Sequence, residues 1–461
     1  MPRNSSTKAS PKFATRADYS DPFYRALGKE AISEWRRNPL FTPYFHETGV
    51  LFHSGEENPA AAEYIAHGIQ HASAAEDEKL ERAAEGKTLP RQAYEVVASD
   101  QEKAWFPKAL RKHLGDFADK LGKQYPSYYN PRGGWAEARE ATVAALKEAQ
   151  CLGAQVVGSA EVCQLIYSGK RAQGVVTRDG RSFKTENDGA VIICAGAWTP
   201  RLAASLLPPE SAAALQEPSI ASGQTVITVQ LDKETARDFK GTPVIFDLKT
   251  GFYTFEPDSN GVLKGAIHDS GYTHPQPPFG VPSSSITYPS FTSTSTEASR
   301  GSPENTHLAS QDTMGGRNTG AQIDVTRKPQ RHIPPGFENQ MFQYLVDRFP
   351  TLRSKSSNLQ SRVCWYSDTE DENWVIDHAP GPVENVILTT GDSGHGFKFL
   401  PTIGEYIAAR LPHNIRPKGI RDLTEYQARV WSIQHHLKLQ AETKARARDQ
   451  QVESGNARAR L

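Results

Sequence analysis

The stretch from Cys364 to Gly404 reads CWYSDTEDENWVIDHAPGPVENVILTTGDSGHGFKFLPTIG, and it says more about the fold than any other part of the chain. Its hydrophobic run Val386–Leu388 predicts a strand, and the glycine-rich segment Gly391–Gly396 follows. An apolar helix start containing Lys398 comes next. A strand, a glycine-rich turn and a helix in this order bring backbone N–H groups against a flat or anionic cofactor. The late position of this motif in the chain favours a flavin over a nicotinamide.

Length and composition indicate a soluble intracellular protein. The chain has 461 residues, enough for two domains, and its 53 basic and 53 acidic residues balance. Balanced charge gives no support to a nucleic-acid or membrane-surface partner, and no run of about 18 apolar residues predicts a membrane span. The start, MPRNSSTKASPKF, lacks the apolar centre of a secretory signal. Four scattered cysteines do not form a disulfide framework, and no pair has metal-ligand spacing, so we expect no metal.

Helix and strand patterns are clearest in the first half of the chain. Asp21-Pro22 predicts a helix start, and Asn38-Pro39 predicts its end. The segment from Trp135 to Leu152 predicts an amphipathic helix. The strand predictions that follow are Ala154–Gly158, Glu161–Tyr167 and, as a buried strand, Ala190–Cys194.

Other segments show little core signal. Residues 1–15 predict a disordered lead-in, and residues 275–335, dense in Pro, Ser, Thr and Gly, predict a flexible insertion. Residues 422–461 predict a polar helical tail with few core positions. The last three residues, Ala459-Arg460-Leu461, match the small–basic–Leu pattern of a peroxisomal address.

Two candidate site residues lie in the opening stretch. Lys398 falls in the first turn of a predicted helix, where a cation is unfavourable with the helix dipole, so we expect it to face a negative partner. Cys364 is either a reactive thiol or, as is usual for a free cysteine, a buried structural residue. The glycine loop itself also has an alternative interpretation as an ordinary tight turn.

Further candidates lie earlier in the chain, each with a structural alternative. Lys264 interrupts an apolar strand pattern and could simply face solvent. The turn Ala195–Trp198 ends an apolar strand, where doubly wound sheets bind ligands, or it is a plain glycine turn. Arg16 and Tyr19 precede the first helix and could lie exposed in a linker.

Together these segments resemble the FAD-dependent amine oxidases related to monomeric sarcosine oxidase, in particular the fungal fructosyl-amino-acid oxidases (amadoriases) and the saccharopine oxidases. The resemblance covers about residues 12–275 and 335–411, and its last two blocks are highly specific. The four blocks are Arg16–Tyr24 (RADYSDPFY), Ala195–Pro200 (AGAWTP), Cys364–Asp377 and Gly391–Leu400 (GDSGHGFKFL).

The resemblance implies a role for each candidate. Cys364 occupies the position joined covalently to the flavin 8α-methyl group of FAD. Lys264 matches a catalytic lysine near flavin N5, whose fixed charge stabilises the anion formed as O2 takes up an electron. Arg16 and Lys398, with Tyr19, match residues that bind the substrate carboxylate, a task suited to the planar guanidinium. The implied cofactor-binding residues are Cys364, Val162, Ala195, Gly196, Trp198, Gly391, Asp392, Gly394, His395, Gly396 and Lys398.

The reaction implied by the resemblance is oxidation of a secondary amine, either a fructosyl amino acid or an N-alkyl amino acid. The substrate gives a hydride equivalent to the flavin, the imine hydrolyses, and O2 becomes H2O2. Saccharopine or pipecolate oxidation is an alternative, as is a non-catalytic remnant that no longer binds FAD. We expect a monomer whose partners are a small amine and O2. Peroxide production agrees with a peroxisomal address at Ala459–Leu461.

The implied fold is α/β (α+β) of the D-amino-acid-oxidase-like type, in which a Rossmann-like FAD domain is interleaved with an antiparallel-sheet substrate domain. We assign 16–30, 130–215 and 360–411 to the FAD domain, 31–129 and 216–359 to the substrate domain, and 412–461 to a tail. The family opens with a βαβ unit whose Gly-x-Gly-x-x-Gly turn holds the FAD pyrophosphate. The sequence has no such motif. We therefore expect a truncated FAD domain, from either a truncated gene model or a protein that has lost FAD binding.

Overall fold

The computed structural model describes residues 12–17, 19, 21–54, 59, 62–66, 94–95, 106–186, 189–215, 218–268, 271–273, 275–276, 286–287 and 337–458. Within these ranges, no helix has both the length and the apolar character that crossing a membrane requires. Most of the predicted insertion at 275–335, and the predicted address at 459–461, lie outside the described residues.

A large mixed sheet forms the centre of the described structure. Its strands are β3 (Val50–His53), β4 (Tyr94–Glu95), β5 (Ser127–Asn130), β11 (Ile220–Gln230), β12 (Val244–Asp247), β13 (Phe252–Thr254), β14 (Val262–Ile267), β15 (Tyr272–Thr273) and β18 (Leu359–Asp368). In space they run β15-β11-β14-β13-β12-β3-β5-β4, and β18 pairs with β11 along its length. Only β3 and β12 pair in parallel within this described sheet.

Smaller sheets surround it. Strands β1 (Lys12–Thr15), β6 (Gly134–Glu137) and β2 (Phe45–His46) pair in that order and are antiparallel. A second group has β20 (Val386–Thr390) between parallel β10 (Val191–Ile193) and antiparallel β19 (Val375–His378). The remaining strands are the meander β7 (Val162–Ser168), β8 (Arg171–Thr177) and β9 (Ser182–Lys184), and the pair β16 (Pro275–Gln276) and β17 (Ile286–Thr287).

Helices cover the sheets. They are α1 (Pro22–Arg37), α2 (Phe117–Lys120), α3 (Ala138–Cys151), α4 (Thr199–Leu206), α5 (Pro209–Leu215), α6 (Lys233–Asp238), α7 (Phe337–Arg348), α8 (Ile403–Ala408), α9 (Glu425–Val430) and α10 (Ile433–Arg458). Buried Met341 and Leu345 of α7 pack with Phe252 and Leu263 of the large sheet. Helices α4 and α5 pack on the β10–β20 sheet, which buries Val386 and its neighbours.

The first predicted helix is confirmed with its ends. The Asp21 carboxylate accepts the Phe23 backbone N–H at 2.8 Å, and Pro22 occupies the first turn. The helix ends at Arg37, and Asn38 is its C-cap. Local capping chemistry therefore decided both boundaries.

Two predictions in the middle of the chain were wrong. The helix expected from Trp135 begins only at Ala138, because Trp135 pairs in β6 with Ala14 and His46 on neighbouring strands. The strand expected over Ala154–Gly158 does not form, and no strand among the described residues pairs with it. A lone extended segment has no partner for its backbone N–H and C=O groups.

The strand predicted at Ala190–Cys194 forms as β10 but is buried on one face alone. Ile193 is 5% exposed, whereas Ile192 is 38% exposed. Among the described strands, β10 pairs only with β20, so it forms one edge of its sheet. The face of β10 that carries Ile192 is also partly exposed.

Both ends of the chain also depart from expectation. Residues 12–15, predicted as disordered, form β1, and the Lys12 side chain within it is buried. The tail is helical as predicted, but it contributes to the core: Val430, Trp431 and Ile433 are all buried. Trp431 packs in one cluster with Trp374.

Candidate active site

Two predicted loops meet at one edge of the β10–β20 sheet. Because these strands are parallel, the turn Ala195–Trp198 after β10 and the loop Gly391–Gly396 after β20 leave the sheet on the same side. The Thr390 hydroxyl donates to the Gly196 carbonyl at 3.0 Å and joins them. The carboxyl edge of parallel strands is where α/β sheets bind ligands.

The glycines of the loop are required by its shape, as the sequence predicted. Gly391 and Gly394 have φ angles of +71° and +67°, in the left-handed region that side chains disfavour. A Cβ at Gly394 would also lie 2.4 Å from the Tyr366 ring. The loop therefore passes closer to β18 than any larger residue allows.

The loop's backbone donors differ from expectation. Four of its N–H groups are already bonded within the protein: those of Gly391 and Ser393 donate to Ser367, and those of His395 and Gly396 donate to the Asp392 carbonyl. The Asp392 carboxylate accepts the Ser367 N–H at 3.2 Å, and burial raises the pKa of Asp392 to about 6. These four N–H groups therefore stabilise the loop itself, and its glycines make room for neighbouring protein groups.

A cavity of about 180 Å³ lies beside this loop. Aromatic rings form almost half of its lining residues, and polar or charged side chains form most of the rest. Its aromatic lining residues are Phe13, Tyr19, Tyr64, Phe246, Tyr253, Tyr366 and Phe397. Apart from the tyrosines, the charged or titratable side chains that line it are Arg16, His268, Glu372, His395 and Lys398. A wall that combines aromatic rings with converging polar groups is typical of a small-molecule site.

Arg16 points into this cavity and is not an exposed linker residue. Its Nη1 donates to the Tyr64 hydroxyl at 2.7 Å. Its guanidinium carbon lies 4.9 Å from the ring centre of Phe52 and 5.6 Å from that of Phe246. Aromatic faces on several sides hold the guanidinium plane, which favours bidentate binding of a carboxylate.

Lys398, Tyr19 and His395 form a continuous hydrogen-bonded row on the cavity wall. Buried Lys398 donates from Nζ to the Tyr19 hydroxyl at 2.7 Å, and that hydroxyl lies 2.9 Å from His395 Nδ1. Burial raises the pKa of Tyr19 well above its usual value. Burial and the nearby Lys398 charge lower the pKa of His395 to about 3. The phenol and the imidazole are therefore both neutral at physiological pH.

Lys264 and Cys364 point to the same face of the large sheet. Lys264 pairs with Thr228 and Cys364 with Gln224, and these two β11 positions share one face because they are four residues apart. Lys264 is only 5% exposed, so the solvent-facing alternative is wrong. Its Nζ donates to the Lys12 carbonyl at 2.5 Å. Burial lowers the pKa of Lys264 to about 7, although the nearby Cys364 raises it.

Cys364 itself is only partly buried, unlike an ordinary core cysteine. It packs at the border of the cluster that contains Val226 and Ala266. Cys364 is therefore half-buried on the sheet face that carries Lys264.

The remaining candidates lie away from the cavity. Val162 begins β7, pairs with Thr177 and does not line the cavity. Gly196 has φ +53°, and a Cβ built there would meet nothing within 4 Å. Trp198 is 44% exposed. Gly196 and Trp198 thus border open space beyond the carboxyl edge of β10.

Sequence reasoning missed Lys12, which it placed in a disordered lead-in. The Lys12 Nζ donates to the Glu256 carbonyl at 2.5 Å and lies 4.6 Å from the ring centre of Trp135. Burial lowers the pKa of Lys12 to about 8. The order Lys12-Phe13-Ala14-Thr15 directly before Arg16 was the only local signal for a strand. The aromatic cavity wall was also missed, because its residues come from strands, helical turns and a loop far apart in the chain.

Comparison with known proteins places the chain in a family. The family model described as FAD dependent oxidoreductase (DAO) matches residues 3–410. The chain is 25% identical to the amino acid oxidase imqH of Aspergillus flavus, over 92% of this chain and 86% of the relative. It is 24% identical to the L-saccharopine oxidase of Schizosaccharomyces pombe, over 90% of this chain and 81% of the relative.

Solved structures show the same fold. A thermally stable mutant of fructosyl peptide oxidase superposes with a TM-score of 0.66 at 23% identity, covering 92% of this chain and 82% of that one. Amadoriase I from Aspergillus fumigatus gives 0.65 at 22% identity, covering 93% and 80%. The predicted fold class is therefore confirmed.

Because the family match spans well over half of its length, this chain belongs to the FAD dependent oxidoreductase (DAO) family. Its site residues suit the flavin end of that cofactor. They supply a half-buried cysteine at Cys364 and a buried amine at Lys264 on the same face of the large sheet. Open space at Gly196 borders the carboxyl edge of β10.

Proposed function

We propose that this FAD-dependent oxidoreductase is a monomeric oxidase of secondary amines that carry a carboxylate, either fructosyl amino acids or N-alkyl amino acids. Its products would be an imine, which hydrolyses to a carbonyl compound and an amino acid, and H2O2. The observation that carries this proposal is the pair of cationic side chains, Arg16 and Lys398, in one small cavity with aromatic walls.

Substrate binding follows from the cavity chemistry. The Arg16 guanidinium presents a planar pair of donors to a carboxylate, and Lys398 adds a point charge on the same cavity. The aromatic rings exclude water, which strengthens both interactions in a low-dielectric site. The remaining small volume suits the carbon skeleton beside a secondary amine.

When bound, FAD takes up the hydride equivalent from the substrate C–H bond and passes two electrons to O2. We propose that Cys364 holds it covalently, and that Val162, the Ala195–Trp198 turn and the Gly391–Gly396 loop contact it. Lys264, on the same face as Cys364, would stabilise the anion formed as O2 takes up an electron.

Lys264→Met should therefore slow reoxidation by O2 much more than reduction by substrate in stopped-flow experiments. Equal effects on both steps would argue against this role.

A substrate panel tests the proposal. We expect purified protein to release peroxide with fructosyl-valine, fructosyl-lysine or sarcosine. Pipecolate and saccharopine belong in the same panel, because the L-saccharopine oxidase of Schizosaccharomyces pombe aligns over 90% of this chain. Turnover restricted to those two would favour the alternative. No peroxide from any of the five, together with no bound flavin, would instead indicate a non-catalytic remnant.

We also propose a peroxisomal location from Ala459-Arg460-Leu461, where the peroxide would form beside enzymes that remove it. A fluorescent protein fused upstream of the chain should be imported into peroxisomes, and deletion of Leu461 should leave it in the cytosol. Cytosolic fluorescence of the intact fusion would contradict the proposal.

A further inference from the structure

We propose that His395 is a positioning residue: it fixes the Tyr19 hydroxyl, and through it holds the Lys398 ammonium group ready for a substrate carboxylate. This assigns His395 a task distinct from cofactor contact. The inference rests on the proposed function, in which Lys398 binds that carboxylate.

The directions of the hydrogen bonds follow from the partners at each end. His395 Nε2 lies 2.9 Å from the Glu372 backbone carbonyl, which can only accept, so Nε2 carries the proton. In a neutral imidazole the other nitrogen, Nδ1, is then an acceptor, and it receives the Tyr19 O–H at 2.9 Å. The Tyr19 oxygen is left to accept the Lys398 Nζ–H at 2.7 Å. The whole row therefore runs in one direction, from Lys398 to Glu372.

The imidazole is neutral because of its surroundings. Burial and the charges of Lys398, His268 and Arg16 together lower the pKa of His395 to about 3, although its bond to Glu372 raises it. A charged imidazole would donate from both nitrogens and could no longer accept from Tyr19. The row is therefore stable in its single direction.

Rigid neighbours hold the imidazole ring in place. It meets the Tyr24 ring edge-on at 5.0 Å between centres and lies 6.0 Å from that of Phe399. Glu372, whose carbonyl ends the row, has φ +59°, a conformation that a non-glycine residue keeps only when its surroundings impose it. The next turn residue back, Asp371, is bonded to His435 of α10 at 2.7 Å. The His395 ring and the Glu372 carbonyl that it bonds are thus both held in place by their neighbours.

A fixed Tyr19 hydroxyl restrains the Lys398 side chain. A lysine side chain has four rotatable bonds and a freely turning ammonium group, so an unrestrained one loses entropy on binding an anion. Here one Nζ–H is already committed to Tyr19, whose ring also lies 4.5 Å below the ammonium. The ammonium group lies on the wall of the cavity that Arg16 also lines. Removing His395 leaves the Tyr19 hydroxyl free to rotate, and the ammonium loses its fixed direction.

Binding of benzoate and of uncharged benzamide, measured by calorimetry on the full-length protein, tests this inference without turnover. For His395→Leu we expect benzoate affinity to fall about tenfold, the size of one charge-assisted hydrogen bond, and benzamide affinity to change less than about twofold. His395→Asn, whose side-chain oxygen can take the place of Nδ1, should recover most of the loss. Equal losses for both probes, or no recovery in His395→Asn, would overturn the inference.

A second pair of variants keeps the inference testable if His395→Leu fails to fold. Tyr19→Phe removes only the hydroxyl that joins Lys398 to His395, and should weaken benzoate selectively by a similar factor. Tyr406→Phe is the matched control. Like Tyr19, Tyr406 packs against the cluster that contains Trp374 and Trp431, but its hydroxyl bonds Glu30 at the surface. Unchanged benzoate affinity in Tyr19→Phe would overturn the inference. The proposed function fails separately, if no amine in the panel yields peroxide.

Discussion

Lys264 is a residue whose surroundings could not be predicted from its neighbours in the sequence. Strand alternation in Val262–Ile267 allowed it to face solvent, yet it is 5% exposed. The reason is a contact distant in sequence: its Nζ reaches the carbonyl of Lys12, 252 residues away. Family resemblance predicted a role for Lys264, but its burial depends on β1, which local patterns did not indicate.

Burial of Lys264 makes stability depend on pH. In the folded protein the pKa of Lys264 falls from 10.5 to about 7, so between these values the unfolded chain binds more protons. Stability from this group therefore rises with pH from about 7 towards 10.5. Relative to Lys264→Met, we expect wild type to gain about 2.5 kcal/mol of unfolding free energy from pH 7.5 to 9.5, because the slope is at most about 1.4 kcal/mol per pH unit.

Urea unfolding of both proteins at each pH measures this gain. The comparison with Lys264→Met cancels the titrating groups that do not interact with Lys264. If the difference in unfolding free energy between wild type and Lys264→Met stays constant, or falls as the pH rises, the pKa of the buried Lys264 is not lowered.

At the scale of elements, the glycine loop after β20 was the most predictable part of the fold. Its need for glycine is local, since Gly391 and Gly394 take positive φ. The identity of the close neighbour was not predictable, because Tyr366 approaches from β18. Sequence thus indicates where a tight loop lies, and the structure shows what it packs against.

Gly394→Ala tests this loop. We expect a loss of about 2–4 kcal/mol of stability, because the new Cβ is disfavoured at φ +67° and would lie 2.4 Å from the Tyr366 ring. Gly404→Ala is the matched control: a Cβ there meets nothing within 4 Å, and alanine favours the helix by about 1 kcal/mol. Equal melting temperatures for the two variants would contradict the loop geometry.

The C-terminal segment was predicted to be helical, but its contribution to the core was not predicted. Its apolar residues are few, and no periodic apolar face marks the helix as a core element. Yet the Trp431 carbonyl accepts the Ile376 N–H of β19 at 3.0 Å, and the Ile433 N–H donates to Asp377 at 3.0 Å. Backbone pairing with a strand more than fifty residues away determines this packing, and no local pattern encodes it.

Trp431→Ala should therefore destabilise the protein strongly. The side chain is fully buried and lies 5.1 Å from Trp374, ring centre to ring centre. We expect a loss of about 3–5 kcal/mol by denaturant unfolding. Tyr426→Ala on the preceding helix is the control, because Tyr426 is 42% exposed and should cost far less. Similar losses for both would show that this segment is not part of the core.

At the scale of the whole molecule, the candidate site is assembled from segments that lie far apart in the chain. Arg16 and Tyr19 follow β1, Tyr253 belongs to β13, and His395 and Lys398 follow β20. Sequence resemblance identified the family and several of these residues. The aromatic wall could not be predicted, because its rings come from strands, helical turns and a loop that only the complete fold brings together.

Acid precipitation of the purified protein tests the central claim most directly. If the chain is an FAD-dependent oxidase with Cys364 joined to the cofactor, the wild-type pellet will be yellow, and Cys364→Ala will release its flavin into the supernatant. Cys163→Ala, a control at an exposed thiol away from the cavity, should keep a yellow pellet. A colourless wild-type pellet, or a pellet that stays yellow in Cys364→Ala, would contradict the account.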